Sequence, residues 1–237
     1  MALFQLKNVN YKNILHYPDT EITGNKTTFI SGESGAGKST LLKLLNGIIS
    51  PTGGDIFYRN KHIGEYDTID LRREVLLVGQ LPYLFDMSIK ENFCEYYAYR
   101  NLLPISENEM VRFLEICSVN LPLDTACSTA SGGEQQRIFI AINLSFSPNV
   151  LMLDEPISAL DEKNANVLME NIKNYCKEHK KTLIVVAHDK AMVEKYADDI
   201  INIQPPKSPS RGTCLTAKKS GVSSSPPERE LEGADYE

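Results

Sequence analysis

The stretch Gly32-Glu33-Ser34-Gly35-Ala36-Gly37-Lys38-Ser39, with Thr40 next, has the residue types and spacing of a polyphosphate cradle. Its three glycines let backbone N–H groups curl around phosphate oxygens without Cβ clashes, and a following helix N-terminus adds a positive dipole end. In the pattern G-x-x-x-x-G-K-[ST], the Lys38 ammonium reaches the outer phosphates and the Ser39 hydroxyl ligates Mg²⁺. A second constellation lies at Leu151-Met152-Leu153-Asp154-Glu155, an apolar run that ends in two carboxylates. Asp154 suits Mg²⁺, directly or through water, and Glu155 suits a general base acting on an attacking water. Together these residues imply binding of a nucleoside triphosphate, with chemistry at its terminal phosphate.

The elements that must position those groups follow from pattern. Thr27-Thr28-Phe29-Ile30 reads as a buried strand before the loop, and Leu41-Leu42-Lys43-Leu44-Leu45 as a helix after it. Val150–Leu153 and Thr182–Val186 read as central parallel strands, continuously apolar because both faces are covered. Between them Ala165, Leu168, Ile172 and Tyr175 mark one face of a helix beginning after Asp161. Near the N-terminus, Leu6, Val9 and Tyr11 belong to a strand-like run, and Pro51-Thr52-Gly53-Gly54 reads as a turn into Asp55–Tyr58. From about residue 81 the pattern turns helical, with Met110, Leu114 and Cys117 on one face.

Ala130-Ser131-Gly132-Gly133-Glu134-Gln135-Gln136-Arg137 then narrows the class. Here the chain resembles the ATP-binding cassette family, whose signature L-S-G-G-Q is followed by Q-R. Ala130 stands for the usual leucine, and Glu134 for the usual glutamine, a position where glutamate also occurs. The resemblance implies that Ser131, Gly132, Gly133 and Glu134 open a helix toward a γ-phosphate. It further implies that Gln80 is the Q-loop glutamine contacting Mg²⁺ and the attacking water, and that Ser158–Asp161 is the D-loop at the dimer interface. His188, 33 residues after Glu155, matches the switch histidine that senses the γ-phosphate. Tyr11 has two readings, an aromatic stacked on adenine or a core residue continuing the first strand. His16, His62 and His179 read as surface residues.

The resemblance covers about residues 3–203 and implies an α/β fold. A P-loop NTPase core with a parallel central sheet is joined by an antiparallel β subdomain, and a small helical lobe is inserted at about 81–145. It implies ATP and Mg²⁺ as cofactors and a head-to-tail pair of cassettes, with each ATP between Gly32–Ser39 of one chain and Ser131–Glu134 of the other. An integral membrane permease is the implied third component, its cytoplasmic helix docking near Gln80, Pro82, Tyr83 and Phe85. Within the family, Ser131–Leu144, Ala187–Lys190, Leu71-Arg72-Arg73, Phe85 and Ile89–Asn92 look similar to small bacterial cassettes tied to iron export.

Composition bounds the alternatives. A net charge of −6 over 237 residues argues against a nucleic-acid backbone as obligate partner. No apolar run approaches the roughly 20 residues of a membrane span, and the first residues lack a signal-peptide layout. Five dispersed cysteines without CxxC spacing fit reduced thiols in the cytosol. The expected place is therefore the cytoplasm, on the inner face of the membrane. The competing reading is a soluble cassette protein in regulation, repair or translation. Only about 90 residues separate the phosphate loop from the signature, which leaves no room for a repair-type coiled-coil arm, and one cassette is half of what translation types carry. Residues 204–237, with five prolines among six serines, read as a disordered tail, with partner binding as the functional alternative.

Overall fold

The computed structural model describes residues 2–205, so the tail expectation lies outside the described residues except at Gln204 and Pro205. Strands β1 (Ala2–Tyr11), β2 (Leu15–His16), β3 (Thr20–Thr23), β5 (Gly53–Tyr58) and β6 (Lys61–His62) form an antiparallel sheet. Strands β4 (Thr27–Ser31), β7 (Val75–Val78), β8 (Val150–Asp154), β9 (Thr182–Val186) and β10 (Asp199–Asn202) form a wholly parallel one, in the order β10-β4-β9-β8-β7. Helix α1 (Lys38–Leu45) follows β4 and α2 (Thr68–Glu74) precedes β7. Three helices, α3 (Ile89–Tyr99), α4 (Glu107–Ile116) and α5 (Gly132–Ser145), lie between β7 and β8. Helices α6 (Glu162–Glu178) and α7 (Lys190–Tyr196) follow β8 and β9. The α/β class, with a parallel core sheet and an antiparallel partner, is thus the observed one.

The apolar runs of the parallel strands divide by alternation. Phe29, Leu76, Val78, Leu151, Leu153, Leu183 and Val185 face one core with helices α3 to α7. Ile30, Val75, Val150, Met152, Ile184 and Val186 face the other, shared with α1 and the antiparallel sheet. β7 and β8 up to Leu153 are apolar throughout, and β4 and β9 carry buried threonines at their starts, because each face of the sheet meets its own layer. Helix α5 is buried around most of its girth through Ile138, Ile140, Ala141, Ile142 and Leu144, and packs in one core with Leu151 and Leu153.

Two expectations near the N-terminus need correction. Gly53 and Gly54 are not a turn but the first residues of β5, paired with β1. Gly54 has φ +77, and a Cβ there would lie 2.2 Å from the Asn8 carbonyl oxygen, so only glycine permits this approach. Opposite it the register of β1 shifts between Lys7 and Asn10, with Asn8 at φ +51. That bulge explains why Leu6 and Val9, three residues apart, are both buried. Of the three histidines read as surface, His16 and His179 are exposed. His62 is half-buried, accepts from the Gly64 N–H and sits 3.4 Å from Asp55.

Candidate functional site

The parallel pairing lines up the candidate residues along one edge of the sheet. Asp154 pairs with Val186, Ile30 also pairs with Val186, and Val78 pairs with Leu153. The segments leaving β4, β9, β8 and β7 at their C-terminal ends therefore run side by side. They carry, in that order, the Gly32–Ser39 loop, His188, Glu155 and Gln80. Ligands of open α/β sheets bind at this edge.

In the loop, Gly35 has φ +77 and nothing within 4 Å of its missing Cβ, so conformation alone demands glycine there. Gly37 has φ +94 and caps α1, while its carbonyl accepts from the Tyr17 hydroxyl at 2.9 Å. A Cβ on Gly37 would also lie 2.7 Å from Leu15 Cδ1. Lys38 is buried and folds back over the loop, donating to the carbonyls of Gly32 at 2.9 Å and Glu33 at 2.8 Å. Burial pulls its pKa below the usual lysine value, and the Glu155 and Asp154 charges counter that pull.

The carboxylates are held differently. Asp154 is buried and accepts from the Ser39 hydroxyl at 3.0 Å. Burial raises its pKa; the neighbouring Glu155 charge adds to the rise, while Ser39, Lys43 and Lys38 oppose it. Glu155 leaves the strand at φ +51, a left-handed conformation uncommon for a non-glycine residue. Its N–H donates to the Val186 carbonyl at 3.1 Å. Gln80 Nε2 donates to Glu155 Oε2 at 3.0 Å, and His188 Nε2 lies 2.8 Å from Glu155 Oε1. One carboxylate is thus clamped between an amide and an imidazole, at the rim of a cavity of about 270 Å³ that is also lined by Ser34, Lys38 and Thr40. A water in that cavity would find a proton acceptor already oriented from both sides.

The Ser39 hydroxyl and Asp154 carboxylate are hard oxygen donors in hydrogen-bond contact. Their chemistry fits Mg²⁺, which takes one or two protein oxygens and completes its shell from phosphate and water. The glycine conformations of the loop and the buried lysine fit a triphosphate beside it.

Ser131–Glu134 does not line this cavity. Ser131 caps α5, and the Glu134 carboxylate accepts from the Ser131 hydroxyl at 2.6 Å and its N–H at 2.8 Å. Those bonds hold the Glu134 pKa below the usual glutamate value. Gly133 packs against the loop before α6: a Cβ there would lie 2.9 Å from Leu160 Cδ2 and 3.2 Å from the Ala159 carbonyl oxygen. Tyr11 does not line the cavity either; it is half-buried against the core beside the antiparallel sheet, with Lys12 Nζ 5.3 Å from its ring centre.

Sequence reasoning missed Leu15 and Tyr17, which fix Gly37 from a separate strand and loop. No spacing rule links them to the phosphate loop. It also missed the Ser-x-x-Glu capping boxes at Ser88–Glu91, Ser106–Glu109 and Ser131–Glu134, although that pattern is a readable helix start.

The chain is similar to known proteins along most of its described length. The sequence profile of the ABC transporter family matches residues 15–158. The probable iron export ATP-binding protein FetA of Escherichia coli (strain K12) is 35% identical over 210 residues, covering 86% of this chain and 92% of that protein. The structure of cbiO1 from Clostridium perfringens, part of the ABC transporter complex cbiONQ, is 27% identical with a TM-score of 0.75, covering 86% of each chain. A dimeric post-hydrolysis structure of the ATP-binding cassette MJ0796 bound to ADP and Pi is 25% identical with a TM-score of 0.72, covering 85% of this chain and 96% of that one.

Proposed function

The chain belongs to the ABC transporter family as an ATP-hydrolysing subunit, and from that premise we propose that two copies close around ATP to drive a separate membrane permease that exports metal ions. The observation that carries the catalytic part is the clamped carboxylate: Glu155 held by Gln80 and His188 next to the Gly32–Ser39 loop.

The loop N–H groups and Lys38 bind the triphosphate, and Lys38 exchanges its bonds to Gly32 and Glu33 for phosphate oxygens. Ser39, Asp154 and Gln80 are the residues to hold Mg²⁺, which when bound neutralises charge on the outer phosphates. Glu155 takes a proton from the attacking water as its oxygen bonds to the γ-phosphorus and the bridge to the β-phosphate breaks, leaving ADP and inorganic phosphate. Gln80 keeps that carboxylate aimed, as does His188 until its Nε2 leaves Glu155 to hydrogen-bond the γ-phosphate. Ser131, Gly132, Gly133 and Glu134 of a second copy complete the site across a two-fold axis. Their helix start is an anion-binding end whose Ser131 hydroxyl must leave Glu134 to reach phosphate. Tyr11, the cross-strand partner of cavity-lining Leu15, is the residue assigned to the adenine, which would lie outside the phosphate cavity.

No described helix is long and apolar enough to cross a membrane; in this reading the separate permease supplies the transport path. Its cytoplasmic helix docks in the aromatic groove at Tyr83 and Phe85, which sets this chain on the cytoplasmic face. The metal cargo rests on the 35% identity to the iron export relative over nearly its whole length. The test is Lys38→Ala in the purified chain: ATP binding and ATP-dependent dimerisation, followed by light scattering, are both expected to vanish. Unchanged binding overturns the assignment of the loop.

A further inference from the structure

The groove between α3 and α5 carries an unmatched charge. Phe85 centres an aromatic cluster, with Tyr83 at 5.2 Å, Tyr99 stacked at 5.9 Å and Tyr96 at 5.9 Å between ring centres. The cavity it lines has a volume of about 390 Å³ and is also lined by Phe146 and Asn143. Large apolar side chains are left in solvent around it: Tyr83 is 64% exposed, Tyr99 68% and Leu81 84%. Two and three residues beyond Arg100, Leu102 and Leu103 are exposed as well. Apolar exposure concentrated in this way marks a contact surface rather than scattered surface residues.

Arg100 ends α3 inside this cluster, its guanidinium carbon 3.8 Å from the Phe146 ring centre. It is half-buried, and among the described residues no carboxylate lies within salt-bridge distance of it. Burial lowers its pKa, and the nearby Arg73 charge lowers it further. A partly desolvated guanidinium against an aromatic ring, with no carboxylate beside it, gains most from a carboxylate that its N–H fork can bind. In a chain of net charge −6 this is a local positive spot ringed by aromatics.

We propose that Arg100 selects the docking helix of the membrane subunit by pairing with a single Asp or Glu flanked by apolar residues, which fill the ring-lined groove. The inference rests on the permease-docking reading and adds to it the chemistry of the partner. A cavity of this size takes one helix end with a few side chains, and among the described residues the guanidinium is the only cation lining it.

The test uses the full chain and two fluorescein-labelled, capped helical peptides of about 16 residues. Both carry a Leu/Phe face; one has a central Glu, the other Gln at the same place. Fluorescence anisotropy is expected to show the Glu peptide binding about tenfold or more tighter, as a charge-assisted pair implies. That preference is expected to disappear in Arg100→Gln, whose basal ATP turnover stays unchanged, and Tyr99→Ala is expected to weaken both peptides. Equal affinity for both peptides, with Tyr99→Ala weakening both, overturns the role of Arg100 and leaves groove docking standing. Failure of both peptides to bind overturns the docking reading and this inference with it. Binding to phosphatidylglycerol vesicles that falls in Arg100→Gln, without any peptide preference, also overturns it by assigning the charge to lipid.

Discussion

Replacing Glu155 by Gln separates the chemistry of the carboxylate from its structural role. Glu155 makes two side-chain contacts, to Gln80 Nε2 at 3.0 Å and His188 Nε2 at 2.8 Å. An amide can keep both, accepting from Gln80 through its oxygen and donating to His188 through its nitrogen, if the imidazole proton sits on Nδ1. Each bond then falls from a charged to a neutral one, a loss of about 1 kcal/mol apiece. Side-chain exposures of 23% for Glu155 and 45% for His188 reduce that figure. Removing Glu155 also relieves the like charge on buried Asp154, so the net cost is about 1 kcal/mol, a Tm drop of roughly 2–4 °C for a chain of this size. Hydrolysis loses its proton acceptor, and general-base catalysis is worth about 10²–10⁴-fold, or roughly 3–5.5 kcal/mol of barrier. ATP binding holds or tightens, because a negative charge beside the phosphate cavity is gone. Single-turnover hydrolysis, nucleotide titration and thermal melting read the three effects separately. Turnover within about threefold of the parent, at normal ATP affinity, refutes Glu155 as the base. A melting drop above about 10 °C refutes the claim that the amide preserves the clamp.

Ser131→Ala and Ser106→Ala remove the same capping-box contact from α5 and α4, so each is expected to cost about 1 kcal/mol in urea unfolding. Only Ser131→Ala is expected to abolish ATP-dependent dimerisation; equal dimerisation in both variants would remove Ser131 from the nucleotide interface. Asp198 is partly buried, which alone would raise its pKa, but bonds from Lys173 and the Thr27 N–H, with the Lys173 and Lys26 charges, bring it below the usual 3.8. A depressed folded pKa stabilises above the unfolded value and loses that stabilisation as pH falls through the folded one. The Tm difference between the parent and Asp198→Asn is therefore expected to be largest near pH 6 and to shrink as pH drops below 3.8; a constant difference would contradict the assignment.

Much of the candidate site, as a set of residues the fold brings together, was legible because its signals are local. A phosphate loop, an Asp-Glu pair ending an apolar run and a helix-starting Ser-Gly-Gly are fixed by steric and electrostatic demands within a few residues. The strand runs at 27–30, 150–153 and 182–186 were equally legible, since strands covered on both faces are built from apolar and β-branched residues without a polar alternation. The Gly53-Gly54 pair was misread because glycine serves turns and bulges alike. Only the opposing Asn8 backbone, 46 positions earlier, shows which demand applies.

By itself the chain's order of residues determined which groups are present that the proposed function assigns to phosphate, metal and proton transfer. It also determined that they are spread over more than 150 positions, from Gly32 to His188. Tertiary structure decided that they meet: the parallel order β4-β9-β8-β7 sets the exits of four distant strands side by side, placing Gln80 and His188 on opposite oxygens of Glu155. It also decided that Tyr17 braces Gly37 and that Arg100 lies among aromatic rings with no carboxylate partner among the described residues. These are contacts between elements, set by sheet pairing and core packing, and no short-range periodicity encodes them.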